Sequence, residues 1–127
     1  MYTYDKRLPD AQIDDAIART RKALGDHGFG VLTEIDVKKT LKSKIGVDVD
    51  NYVILGACNP KMAYEALKLE PKVGAMLPCN VIVRSVEGGV EVSAIDPAAS
   101  MAAIDNPELK RVAETVRTML KAVVAEI

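Results

Sequence analysis

The chain has 127 residues, of which 49% are apolar and 28% charged, the size and composition of one globular domain and not of a disordered segment. Seventeen basic residues stand against eighteen acidic ones, for a net charge of -1, and aromatics reach 4% with no Trp; with neither a basic surplus nor a stacking platform, nucleic acid is not an expected partner. No window approaches the ~20 apolar residues of a spanning helix, Met1–Arg7 lacks the apolar stretch of a secretory signal, and two cysteines make no disulfide framework. These features predict a soluble, cytoplasmic domain over residues 1–127, with no membrane partner and both thiols free.

Tyr2 to Arg7 reads as a first strand. Asp10 then opens a helical stripe through Ile13, Ile17, Thr20 and Leu24, with Asp10 as its expected N-cap and Gly28 as its stop. Phe29 to Ile35 is a strand by its β-branched and apolar content. Asp36 caps a short helix carrying Val37, Leu41 and Ile45 on one side, closed by Gly46. Tyr52 to Cys58 is a continuous apolar run, long enough for a strand covered on both faces.

Asn59-Pro60 hands that strand straight to a helix, since Asn is a strong N-cap and Pro suits the first helical position. The helix is expected to bury Met62, Ala66, Leu67 and Leu69. Pro71 interrupts it, and Val73 to Leu77 forms one further turn. Asn80 to Val86 and Val90 to Ile95 flank a glycine pair, which predicts a hairpin. Asp96 to Asp105 is an Ala-rich connection, and Asn106-Pro107 repeats the cap-and-proline device. The last helix carries Leu109, Val112, Val116, Met119 and Val123 in steps of three and four. Val124 and Ile127 look surplus to a one-sided helix, which points to a homodimer. The order of elements predicts an α+β fold: a mixed, mainly antiparallel sheet of four or five strands with helices packed on it.

Cys58 would sit one residue before a helix N-cap, where unpaired N–H groups and the helix dipole favour an anion and lower a thiol's pKa. It equally reads as a small apolar residue ending a buried strand. Cys79 begins the next strand, so if the two strands are neighbours the thiols meet near one end; two structural thiols remain the plainer reading. Met62 and Met76, near the two cysteines, raise a copper(I) site, but both also fall on apolar helical stripes, and no metal site is assigned. Tyr64 is placed to offer its hydroxyl toward Cys58, or only to half-bury its ring. His27 is expected to meet terminal carbonyls of its helix, and Lys38, Lys39, Lys42 and Lys44 to form a solvated face. Neither a phosphate loop nor a catalytic triad can be read from the spacing, and no cofactor is indicated.

Gly28-Phe29-Gly30-Val31-Leu32-Thr33-Glu34-Ile35-Asp36, Gly56-Ala57-Cys58-Asn59-Pro60 with Ala63, and Leu77-Pro78-Cys79-Asn80-Val81 with Asp96-Pro97 together resemble the domain of unknown function 302 family, over roughly residues 5 to 125. The resemblance implies an α+β fold with a curved, largely antiparallel sheet, a homodimer, and a shared role without an assigned reaction for Cys58, Asn59, Pro60, Pro78 and Cys79. Three functions compete. The first is a homodimeric module binding a small molecule near Cys58, Asn59, Pro60, Tyr64, Pro78 and Cys79. The second is an interaction domain with buried thiols. The third is a redox protein using Cys58 and Cys79.

Overall fold

A computed structural model describes the whole chain, Met1 to Ile127. The elements are β1 (Thr3–Pro9), α1 (Ile13–Asp26), β2 (Gly30–Asp36), α2 (Val37–Ile45), β3 (Tyr52–Cys58), α3 (Pro60–Leu69), a 3-10 turn (Pro71–Met76), β4 (Cys79–Val86), β5 (Gly89–Ile95), α4 (Pro97–Ser100) and α5 (Pro107–Glu126). The five strands form one sheet in the order β1-β5-β4-β3-β2. Every pairing is antiparallel. The expected hairpin is present, with a two-residue turn at Glu87-Gly88 that brings Val86 opposite Gly89.

Side chains alternate across a strand, so the register decides which rows reach the core. Leu8 pairs with Val90, Val92 with Val83, Val83 with Val53, and Ala94 with Val81, which pairs in turn with Leu55. All of these are buried. The helices α1 and α5 cover this face: Ala16, Ala23 and Leu24 of α1 join Val116, Leu120 and Val123 of α5 in the same 19-residue core. Fully burying a Leu or Val contributes roughly 1.5–3 kcal/mol, so this layer is the main source of stability. A smaller core of Ala66, Val73, Met101, Leu109 and Ala113 joins α3, the 3-10 turn and α5.

The opposite face of the sheet is open. Ile82 pairs with Ile54 and Ile54 with Ile35, a row of three isoleucines in which Ile82 and Ile54 are half-buried and Ile35 is 47% exposed. The expectation that β3 is covered on both faces is therefore corrected. Its inner residues Val53, Leu55 and Ala57 are buried, while Tyr52, Ile54 and Cys58 are only partly so. A run of apolar residues does not reveal that one of its faces will meet solvent.

Helix starts follow the local code closely. Asp36 accepts from the Lys39 amide at 2.9 Å, Asn59 from that of Met62 at 3.1 Å, Asp96 from that of Ala98 at 3.0 Å, and Asn106 from that of Leu109 at 3.1 Å. Three of these caps precede a proline, whose missing N–H costs nothing in a first turn. The Ala-rich connection is thus not irregular throughout, since Asp96 starts α4 within it.

Several expectations fail for tertiary reasons. Asp10 is not the cap of α1: that position is Gln12, without a side-chain bond. Asp10 instead has φ 61 and donates its backbone N–H to the Gly88 carbonyl at 2.8 Å, tying β1 to the hairpin turn. The His27 imidazole reaches Glu126 of α5 at 3.2 Å, and only its backbone N–H, donating to the Leu24 carbonyl at 3.1 Å, meets its own helix end. Leu67 is 42% exposed, and α2 buries none of its residues, with Ile45 67% exposed. Val124 and Ile127 are not surplus: each is 6% exposed and sits in the chain's own core.

Candidate functional site

β3 ends at Cys58 and β4 begins at Cys79, and the register sets Ala57 opposite Cys79. Cys58 therefore lies one position off the Ala57–Cys79 pair, its backbone beside that of Cys79 but its side chain directed to the other face of the sheet. Asn59, capping α3, turns the chain away from the sheet immediately after Cys58. On the other side, the cis Leu77-Pro78 peptide leads into β4. The turn between α1 and β2 closes the rim: Gly28 has φ 82, and a Cβ there would lie 3.1 Å from the Asn59 side-chain nitrogen.

These segments border a partly open cavity of about 40 Å³ whose lining includes Cys58, Asn59, Pro78 and Cys79. Phe29, Met62, Leu77, Met101, Ala113 and Val116 add to its lining. A water needs roughly 10–15 Å³ measured this way, so the space takes about three heavy atoms. Twelve of the fifteen lining residues are hydrophobic, and a cavity this apolar has few partners to offer water. Asn59 is the one amide-bearing residue among those that line it.

Cys79 is 9% exposed, whereas Cys58 is half-buried. Burial pushes the Cys79 thiol up to about 11, and the neighbouring charge of Cys58 adds to the rise. That second cause means the two sulfurs sit within each other's field. At neutral pH Cys79 is a protonated, weakly reactive thiol.

The family model for the domain of unknown function DUF302 matches residues 4–127. The chain belongs to the DUF302 family. A similar solved structure, an uncharacterised conserved DUF302 protein from Bacillus stearothermophilus, is 28% identical with a TM-score of 0.92, covering 99% of this chain and 98% of its own. No curated protein matches.

In this DUF302 domain the structure brings Cys58, Asn59, Pro78 and Cys79 to one wall. It leaves Pro60 and Tyr64 outside that wall. Pro60 is exposed at the first position of α3, and Tyr64 is 64% exposed with the Lys68 ammonium 4.7 Å from its ring centre. Met76 is 42% exposed and away from the cavity. Sequence reading missed Phe29, Met101 and Val116, because nothing local says that α4 and α5 close over the end of β3. The lysines of α2 are exposed as expected, with Lys42 bonded to Asp48 at 3.2 Å.

A second concavity, about 490 Å³, lies on the open sheet face among Tyr2, Asp5, Tyr52, Ile82, Arg84 and Ser93. It is large enough for an organic ligand. Its one cation is already engaged, however, with Arg84 bonded to Glu91 at 2.7 Å. A buried polar cluster elsewhere is structural. Asp96, 5% exposed, accepts from the Tyr4 hydroxyl at 3.2 Å and lies 3.5 Å from the Arg117 guanidinium, joining β1, α4 and α5. No helix is long and apolar enough to cross a membrane.

Proposed function

We propose that this DUF302 domain is a homodimeric module that binds a small ligand in the cavity beside Cys58 and Cys79. The observation that carries the reading is convergence. Residues from two strand ends, the capped start of α3 and the segment before β4 meet around one partly open pocket bordered by Cys58, Asn59, Pro78 and Cys79. Protein cores leave few voids larger than a water, so a void bordered by both cysteine residues of the chain is the place to look first. Cys58, only half-buried, gives the space a side toward solvent.

Cavity size limits the ligand to a few heavy atoms. The test labels the five methionine methyls with 13C and exposes the protein to xenon or dimethyl sulfide. The Met62 and Met101 resonances should move, and those of Met1 and Met76 should not. Movement confined to residues of the open sheet face would overturn the assignment.

For the dimer, the support is the open face. Its isoleucine row and the exposed Tyr2, at 69%, form an apolar strip of the kind two copies bury about a twofold axis. Light scattering should give twice the 13.7 kDa chain mass, falling to the monomer mass in Ile82→Glu with its circular dichroism unchanged. A wild-type monomer at micromolar concentration removes this part of the reading. The thiol-redox alternative is weakened by Cys79, which its burial keeps protonated at neutral pH.

A further inference from the structure

Beyond the cavity at the cysteines, we infer that the concavity on the open sheet face is a second binding site, for a small organic cation whose ammonium sits between Asp5 and Ser93 and whose apolar body lies on Ile82 and Ile95. The register builds it. Ser93 of β5 pairs with Asp5 of β1 on one side and with Ile82 of β4 on the other, and Ile95 follows two positions later on the same face. All four line the space of about 490 Å³, a volume that takes an organic molecule.

Ser93 is the observation that points to a ligand. Side chains alternate along β5, and Val90, Val92 and Ala94 are those that enter the core. Ser93 belongs to the opposite face with Glu91 and Ile95, which are half-buried, yet it is only 5% exposed. Every side-chain oxygen or nitrogen sealed from solvent has a hydrogen-bond partner. The Ser93 hydroxyl bonds to no group of the chain, so it opens on the concavity that it lines. A hydroxyl at the floor of a pocket, with its donor and acceptor capacity unused, gains from any polar group set against it.

The charges select the ligand class. Asp5, Arg84 and Glu91 are the charged residues that line the space. Arg84 is bonded to Glu91 at 2.7 Å, which leaves Asp5 as a carboxylate without an ion pair and leaves no cation for an anionic ligand. The basic groups around Asp5 are turned elsewhere. Arg7 donates to the Glu87 carbonyl, Lys6 donates to the Ala125 carbonyl at 2.9 Å, and Lys121 lies 5.2 Å from the Tyr4 ring centre. Residues directly opposite in an antiparallel pair have Cβ atoms about 4.5–5.5 Å apart. One ammonium, with three donors and no acceptor, therefore reaches the Asp5 carboxylate and the Ser93 hydroxyl together. A calcium ion takes roughly six to eight oxygens, more than this pair provides. Ile82 and Ile95, both half-buried, cover the apolar part of the ligand.

The test titrates the full chain at neutral pH with 2-phenylethylammonium, with 2-phenylethanol as its neutral counterpart and 3-phenylpropanoate as its anionic one. In 15N-resolved spectra the Asp5, Ile82 and Ser93 amides should shift with the amine at millimolar concentration. Those of Phe29, Met62 and Met101, at the other cavity, should stay. The alcohol and the carboxylate should bind at least about tenfold more weakly. Asp5→Asn should weaken amine binding by about tenfold and Ser93→Ala by about fivefold, with unfolding curves close to wild type. Asp48→Asn, at an exposed carboxylate that does not line the space, should change nothing. Binding that is unchanged in Asp5→Asn, that ignores the charge of the probe, or that leaves the Ser93 amide unmoved overturns the inference. The apolar strip of the proposed dimer shares Ile82 and Tyr2 with this site, so light scattering on the same samples separates the two. A monomer that binds the amine keeps this site and removes the dimer, and a dimer that does not bind it does the reverse.

Discussion

Raising the pH should destabilise this protein through one residue, Cys79. Its thiol is pushed from an ordinary 9.0 to about 11, chiefly by burial and then by the charge of Cys58. A group with a raised folded pKa keeps its proton in the native state after the unfolded chain has lost it. Its contribution is therefore fully present below pH 9 and is lost as pH climbs toward 11. Two units correspond to about 2.7 kcal/mol in full, and about 2 kcal/mol of that is gone by about pH 10.5. Other groups titrate in the same window, so the comparison is between wild type and Cys79→Ala. Alanine shifts the whole stability by a packing cost that does not depend on pH. Urea unfolding at about pH 8 and about pH 10.5 should show the gap between the two proteins closing by about 2 kcal/mol. Parallel curves across that range would mean that Cys79 ionises freely in the native state, and that the cavity wall is not closed around it.

Timed iodoacetamide labelling of the native protein at neutral pH should modify Cys58 well before Cys79, since one is half-buried and the other 9% exposed with a raised pKa; peptide mass spectrometry showing no label on either until denaturation would strip the thiol site of its main support. Asn59→Ala should cost about 1 kcal/mol by removing the bond to the Met62 amide, whereas Gln12→Ala, at a cap with no side-chain bond, should change the denaturant midpoint little. Gly56→Ala should destabilise by about 1–3 kcal/mol, because its new Cβ would meet the Thr33 hydroxyl and lie 2.8 Å from the Pro78 ring. Thr33→Ala in the same chain should recover part of that loss, and strict additivity of the two changes would refute the contact.

How far the fold was legible depends on how local its causes are. The boundaries of β3, α2 and α3 could be read almost residue for residue, since Asp36, Asn59, Pro60 and Gly46 act on the backbone within a turn of themselves. Asp10 looked like the same device and was not. The Gly88 carbonyl, nearly eighty residues away, captured its amide and held it at positive φ. His27 and Glu126 meet across α1 and α5, a contact with no local trace.

For the candidate site the division runs between the residues and the room they enclose. Cys58, Asn59, Pro78 and Cys79 stood out along the chain because a cap, a proline and a thiol next to one another are readable as sequence. Pro60 and Tyr64 shared those segments but face elsewhere, since a neighbour in sequence on a helix need not share a face. Met101 and Val116 became part of the wall only when α4 and α5 folded over the end of β3.

By itself, then, the sequence determined the strands, the capped helices and the β4–β5 hairpin, because periodicity, caps and turns are short-range physics. The tertiary structure alone decided which face of the sheet stays open, that Val124 and Ile127 serve the chain's own core, and that Met101 and Val116 join the wall of one small void. Those outcomes depend on how layers pack, and packing couples residues that no local pattern links.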